Sequence, residues 1–182
     1  MKKLSLILAV FFTSIISLNA QEYIKEDVTA NGFRNVETHP AIFEHQTELY
    51  LMAWNYISSP ANNVDHYCLS IFCSDQAAPW NVSAGDKLQI GLLLSDEYVE
   101  LKALMDAEPE SYETDNGTKY RTLAYYVIPK SAYEKLYTGF DRFKIDVRVN
   151  NSVPITLAVK LPFSSVEHML MSYLDIMIAS GR

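Results

Sequence analysis

Most of the chain carries apolar residues at every second position, the spacing of a half-buried strand. Phe143, Ile145, Val147 and Val149 fall on one face, and Lys144, Asp146 and Arg148 on the other. Leu88, Ile90, Leu92 and Leu94 repeat the pattern, as do Val99, Leu101, Ala103 and Met105, and then Leu123, Tyr125 and Val127. Residues 48–56 differ. One face reads Tyr50, Met52, Trp54 and Tyr56, and the other reads Leu49, Leu51 and Ala53. A strand apolar on both faces is either covered on both or presents one of them to a partner. Residues 66–73 and 153–161 read as further strands, and a short one is expected near 33–36 inside an otherwise irregular lead-in, 21–46. The period then changes. From Ser165 to Ser180 the apolar residues are Val166, Met169, Leu170, Tyr173, Leu174, Met177 and Ile178, a stripe at helical spacing. Ser164 with Glu167 predicts a capping box at its start, and Gly181 suits its end. Ser131 with Glu134 predicts a second, short helix that stops before Gly139.

The expected fold is therefore mainly β (α+β): an antiparallel β-sandwich or curled β-sheet of about eight strands, with a C-terminal amphipathic helix packed on it. The single β-rich domain spans 47–182.

The N-terminus has its own pattern. Lys2 and Lys3 precede an apolar run from Leu4 to Leu18, then Asn19, Ala20 and a polar stretch. This is the order of a secretory signal peptide, 1–20, with cleavage expected after Ala20. The run is shorter than the ~20 residues of a membrane span, and no transmembrane segment is expected in the mature chain. The protein is expected to be exported, periplasmic or extracellular.

Charge narrows the partners. The 182 residues carry a net charge of -7, and losing Lys2 and Lys3 makes the mature chain more acidic. Nucleic acid is not an expected partner, because phosphate binding needs a surplus of clustered Lys and Arg.

The common chemical motifs are missing from the sequence. The six glycines are too far apart for a phosphate loop, no Gly-x-Ser-x-Gly elbow occurs, and no His-Glu-x-x-His occurs. Asp115-Asn116-Gly117 has a fragment of a calcium-loop pattern, but the flanking ligand positions fail and a turn is expected. Glu37, His39, Glu44, His45, Asp65 and His66 are metal-ligating types at irregular spacing, and neither metal nor cofactor is expected. Cys68 and Cys73 lie five residues apart on an expected strand. That offset points them to opposite faces, ~16 Å apart, beyond disulfide reach.

These observations point to an exported, non-catalytic binding or interaction domain whose partner is a protein or a carbohydrate. The candidate ligand-binding residues are Tyr50, Trp54, Tyr56 and Trp80, because aromatic rows stack on sugars and anchor protein contacts. Two alternatives remain. One is a carrier holding a small apolar or carbohydrate ligand between sheet and helix. The other is a metal-dependent hydrolase using His39, His45 and His66.

Overall fold

The structure is a computed structural model, and it describes residues 24–28, 32, 34–62, 64–149 and 152–180. The expected signal segment lies outside the described residues. The chain is mainly β, built on one large, open antiparallel sheet with a C-terminal helix.

Twelve strands form the sheet, against the eight or so expected. They are β1 (Ile24–Val28), β2 (Arg34–Thr38), β3 (Ala41–His45), β4 (Glu48–Ser59), β5 (Val64–Gln76), β6 (Trp80–Asn81), β7 (Lys87–Leu92), β8 (Tyr98–Ala103), β9 (Glu110–Thr114), β10 (Gly117–Val127), β11 (Phe140–Val149) and β12 (Ile155–Lys160). The additional members are β1, β3, β6 and β9. Two of them convert the expected irregular lead-in into paired structure. β6 has two residues and β9 is polar throughout, so neither offers a hydrophobic period. Asp115 and Asn116 form the turn of the β9–β10 hairpin and Gly117 opens β10 at φ 104, so the calcium-like fragment is a turn.

The strand order is β1-β2-β4-β5-β10-β8-β7-β11-β12. β3 also pairs with β4, and β9 with β10. β2 and β3 lie end to end along one edge of β4: Arg34–Glu37 pair with Ser58–Asn55, and Ala41–His45 with Met52–Glu48. Between them the ladder is interrupted at Pro40, which has no N–H. Thr38 repairs the gap. Its buried hydroxyl accepts the Trp54 N–H at 3.0 Å and donates to the Trp54 carbonyl at 3.4 Å.

The sheet bends round, so that strands far apart in the order touch through their rings. Tyr50 on β4 meets Phe143 on β11 at 6.1 Å between centroids, and Trp54 meets Phe140 at 5.9 Å. The inner face is filled by Met52, Leu69, Ile71, Leu88, Ile90, Ile145 and their neighbours.

A one-turn helix, α1 (Tyr133–Leu136), follows a 3-10 turn at Lys130–Ala132. The long helix, α2 (Phe163–Ala179), packs on β2, β3, β4 and β11. Neither expected capping box forms. α2 begins directly after Pro162, whose carbonyl accepts the N–H groups of Ser165 and Val166. Its buried face is rotated from the expected stripe. Val166, Met169, Tyr173, Ile176 and Met177 are buried, Leu170 and Leu174 are half-buried, and Ile178 is exposed. The Trp54 indole sets that rotation by donating to the Met169 carbonyl at 2.7 Å, while its ring packs on Tyr173 at 4.8 Å. No helix among the described residues is long and apolar enough to cross a membrane.

Candidate functional site

The aromatic residues singled out from the sequence lie inside. Tyr50, Trp54 and Trp80 are buried and Tyr56 is half-buried. Tyr50 stacks on Phe43 at 5.5 Å, and Tyr56 packs on Tyr67 at 4.9 Å with the Arg34 guanidinium 5.7 Å from the centroid of the Tyr56 ring. Trp80 sits away from the other three on β6, where its carbonyl accepts the Thr122 hydroxyl at 2.9 Å. Large rings are the most effective core fillers, and this face of β4 is the one that meets α2 and β11.

The histidines are not brought together. Among the described residues, no group of three or more His, Cys, Asp or Glu side chains is placed to hold a metal ion. His39 lies at the β2–β3 junction, where its carbonyl is 2.8 Å from His168 Nε2. A carbonyl only accepts, so Nε2 carries the proton. His45 packs edge-on to Tyr50 at 6.4 Å, and His66 lies on β5 opposite Ile57.

Cys68 and Cys73 are free and buried, on opposite faces of β5. Burial pushes both thiols up to about 12, so neither supplies a thiolate nucleophile at neutral pH. Cys73 shares its inner-face surroundings with Tyr50, whose hydroxyl donates to Glu48 Oε2 at 2.7 Å and is itself pushed up by burial.

The outward face of the same strands is where apolar surface is left uncovered. Once Tyr50, Met52 and Trp54 point inward, Leu49, Leu51 and Ala53 must point outward. The register then aligns four large apolar side chains in one row across four strands. Ile42 on β3 pairs with Leu51 on β4, Leu51 with Phe72 on β5, and Phe72 with Leu123 on β10. Ile42 is 61% exposed and Leu123 44%, while Leu51 and Phe72 are half-exposed between them. The next row, Ala53, Ser70 and Tyr125, is tighter. Asn55 Nδ2 donates to Ser70 Oγ at 2.9 Å and to the Ala53 carbonyl at 3.2 Å, which fixes the platform beneath the row.

At its Ile42 end the row opens into a recess of about 250 Å³ lined by Pro40, Ala41, Ile42, Ser164, Ser165 and His168. Phe163, the first residue of α2, is 82% exposed beside Ser164. The interruption between β2 and β3 is what leaves room for this recess, because the chain turns away from β4 at His39 and Pro40.

The chain matches no known family, characterised protein or solved structure. Its geometry and sequence are therefore the whole basis for assigning a function. The sequence did carry a signal for this surface, the double apolar face of residues 48–56, but Ile42, Phe72 and Leu123 are invisible as a group until the register joins them.

Proposed function

We propose that the protein is an exported, non-catalytic binding domain, and that it meets a protein partner through the outward face of β3, β4, β5 and β10. The observation that carries this reading is the uncovered row Ile42, Leu51, Phe72 and Leu123. Contiguous apolar surface on a folded domain marks contact sites, and the centre of such contacts is apolar with a polar rim. Export rests on the Lys2, Lys3 and Leu4 to Leu18 pattern.

The alternatives have less support. The inner space between sheet and α2, which a carrier would use, holds the packed rings of Trp54, Tyr173, Phe140 and Phe143. A hydrolase built on His39, His45 and His66 needs those side chains to converge, and they lie on separate elements.

A photo-crosslinking residue at position 123, introduced in exporting cells, tests the contact. A covalent adduct is expected, with the captured protein unaltered apart from the cross-link, and Ile42→Glu should abolish it while leaving the thermal midpoint near its original value. An adduct to a second copy would identify the partner as this chain. No adduct at positions 42, 72 or 123 would refute the surface. A full-length chain retained in the cytoplasm would refute export.

A further inference from the structure

β12 ends the strand order, and among the described residues only β11 pairs with it. Its other edge is open. The register shows which backbone groups face that edge. Leu161, just past β12, donates its N–H across to the Asp141 carbonyl at 2.8 Å. Backbone direction alternates along a strand, so Ile155, Leu157 and Val159 also turn their polar groups toward β11, while Thr156, Ala158 and Lys160 turn theirs to the open side.

Open edges are commonly blunted by charge. β1 carries Glu26 and Asp27, β3 carries Glu44, and β9 carries Glu110 and Glu113. β12 runs Ile155-Thr156-Leu157-Ala158-Val159 without a charge and only then reaches Lys160. Apolar side chains also stand exposed along it. Val153 is 81% exposed, Ile155 48%, and Phe163, just beyond the strand, 82%.

We propose that β12 pairs antiparallel with β12 of a second copy of this chain, about a twofold axis through Ala158, joining two open sheets into one. The contact is separate from the apolar row on β3, β4, β5 and β10 and does not rest on it. Symmetry in the strand selects a second copy over a foreign segment. Pro154 and Pro162 stand four residues before and four after Ala158. Neither has an N–H, so they bound the pairable edge evenly. Between them, the N–H groups of Thr156, Ala158 and Lys160 meet the carbonyls of the partner's Lys160, the partner's Ala158 and the partner's Thr156. Ala158, which meets itself on the axis, is small and uncharged. On the inner face Leu157 falls opposite the partner's Val159, and Ile155 opposite the partner's Leu161. Beyond the prolines the same symmetry brings Val153 toward the partner's Phe163.

The charges agree with this register. On the outer face Thr156 falls opposite the partner's Lys160. Thr156 Oγ1 donates to Asp146 Oδ1 at 2.7 Å, so the incoming ammonium is aimed at a carboxylate two strand spacings away, ~10 Å from backbone to backbone. Lys160 makes no ion pair within its own chain among the described residues. Its neighbour on β11, Arg142, leans away over Gly91 toward Tyr98 and Ser95. Such a pairing is isologous and closes at two copies.

Analytical ultracentrifugation of the purified protein, from micromolar to millimolar concentration, should show a monomer–dimer equilibrium without larger species. Residues that exchange ladder bonds have Cα atoms ~5.5 Å apart, within disulfide reach. Ala158→Cys should therefore give a disulfide-linked dimer under mild oxidation. Thr156→Cys should not, because its two copies lie ~14 Å apart. Thr156→Lys sets a like charge against the partner's Lys160 on both sides of the axis and should weaken the dimer by about tenfold or more. Lys160→Glu should also weaken it, and adding Asp146→Lys should restore it. Circular dichroism and thermal midpoints confirm that the variants fold. A monomer at every concentration would overturn the proposal. So would a dimer indifferent to Thr156→Lys, or one that cross-links as readily through position 156 as through 158. Species that keep growing with concentration would overturn the closed pairing. A monomer would leave cross-linking at position 123 intact, and loss of that cross-link would leave the dimer intact.

Discussion

Thr38→Val is the most direct test of how the sheet is held where β2 gives way to β3. Valine keeps the shape of threonine and replaces the hydroxyl with a methyl. Thr38 is 1% exposed, and its hydroxyl is the partner of both the N–H and the carbonyl of Trp54, also 1% exposed. An orphaned buried backbone group costs ~1–3 kcal/mol. Losing the N–H partner and weakening that of the carbonyl should therefore cost ~2 kcal/mol net of the added methyl's burial. For a chain of this size that corresponds to a thermal midpoint lower by ~4–8 °C, or a urea midpoint lower by ~1 M. Thr38→Ser is the companion variant. It keeps the hydroxyl and loses one methyl, costing ~0.8 kcal/mol. The expected order of stability is therefore wild type, Ser, Val. Urea titration followed by tryptophan fluorescence gives the order, and amide exchange at Trp54 should accelerate in the Val variant alone. A Val variant at least as stable as the Ser variant would show that the site needs volume rather than a hydrogen bond, and the account of the junction would fail.

Three further outcomes are expected. Denatured protein should react with two equivalents of a thiol reagent without prior reduction and native protein with none, since Cys68 and Cys73 are buried and unbonded; zero equivalents after denaturation would mean a disulfide. Asp86 is held below the usual carboxylate range by Arg148, which donates from Nε at 3.0 Å and Nη2 at 2.8 Å, so its contribution is present above the unfolded value and lost as pH falls through the folded one. Asp86→Asn should then lower the thermal midpoint at pH 7, and the difference should shrink on acidification; a pH-independent difference would refute the ion-pair origin. Asp175 is the opposite case. Burial raises it, so its ionised form opposes folding, and the penalty appears as pH rises from the unfolded value through the folded one. Asp175→Asn should raise the midpoint at pH 7 and make no difference at low pH, measured by scanning calorimetry across that range.

What could be read from the sequence follows the strength of the periodic signal. β7, β8, β10 and β11 are legible because each buries one face and wets the other. β6 and β9 are not, because two residues cannot show a period and Glu110–Thr114 has little to bury. β1 and β3 are short, and their pairing is decided by β2 and β4 rather than by their own composition. The extent of α2 is legible within two residues at its start, but its orientation is not. Leu170, Leu174 and Ile178 look like core on a helical wheel, while Ser165, Ser172 and Asp175 on the buried side do not. A tertiary contact, the Trp54 indole on the Met169 carbonyl, decides between them. The same contact fixes the aromatic face of β4 on the inside. Period two shows that both faces are apolar, and only the position of α2 determines which one is left uncovered.

The contacts of α2 also bear on the order of events in folding. Trp54 waits for Met169, His39 for His168 and Arg34 for Ala179, separations of 115, 129 and 145 residues. The segment that joins the two ends of the sheet is therefore the last to be made. Contacts this distant in sequence carry a large loop-closure cost before they return any stability, and such topologies fold slowly. Until Met169 emerges from the ribosome, the inner rings of β4 have no helix to cover them, and the nascent chain stays loose. The inner face of the sheet is therefore closed late in folding, when α2 docks across β2, β4 and β11.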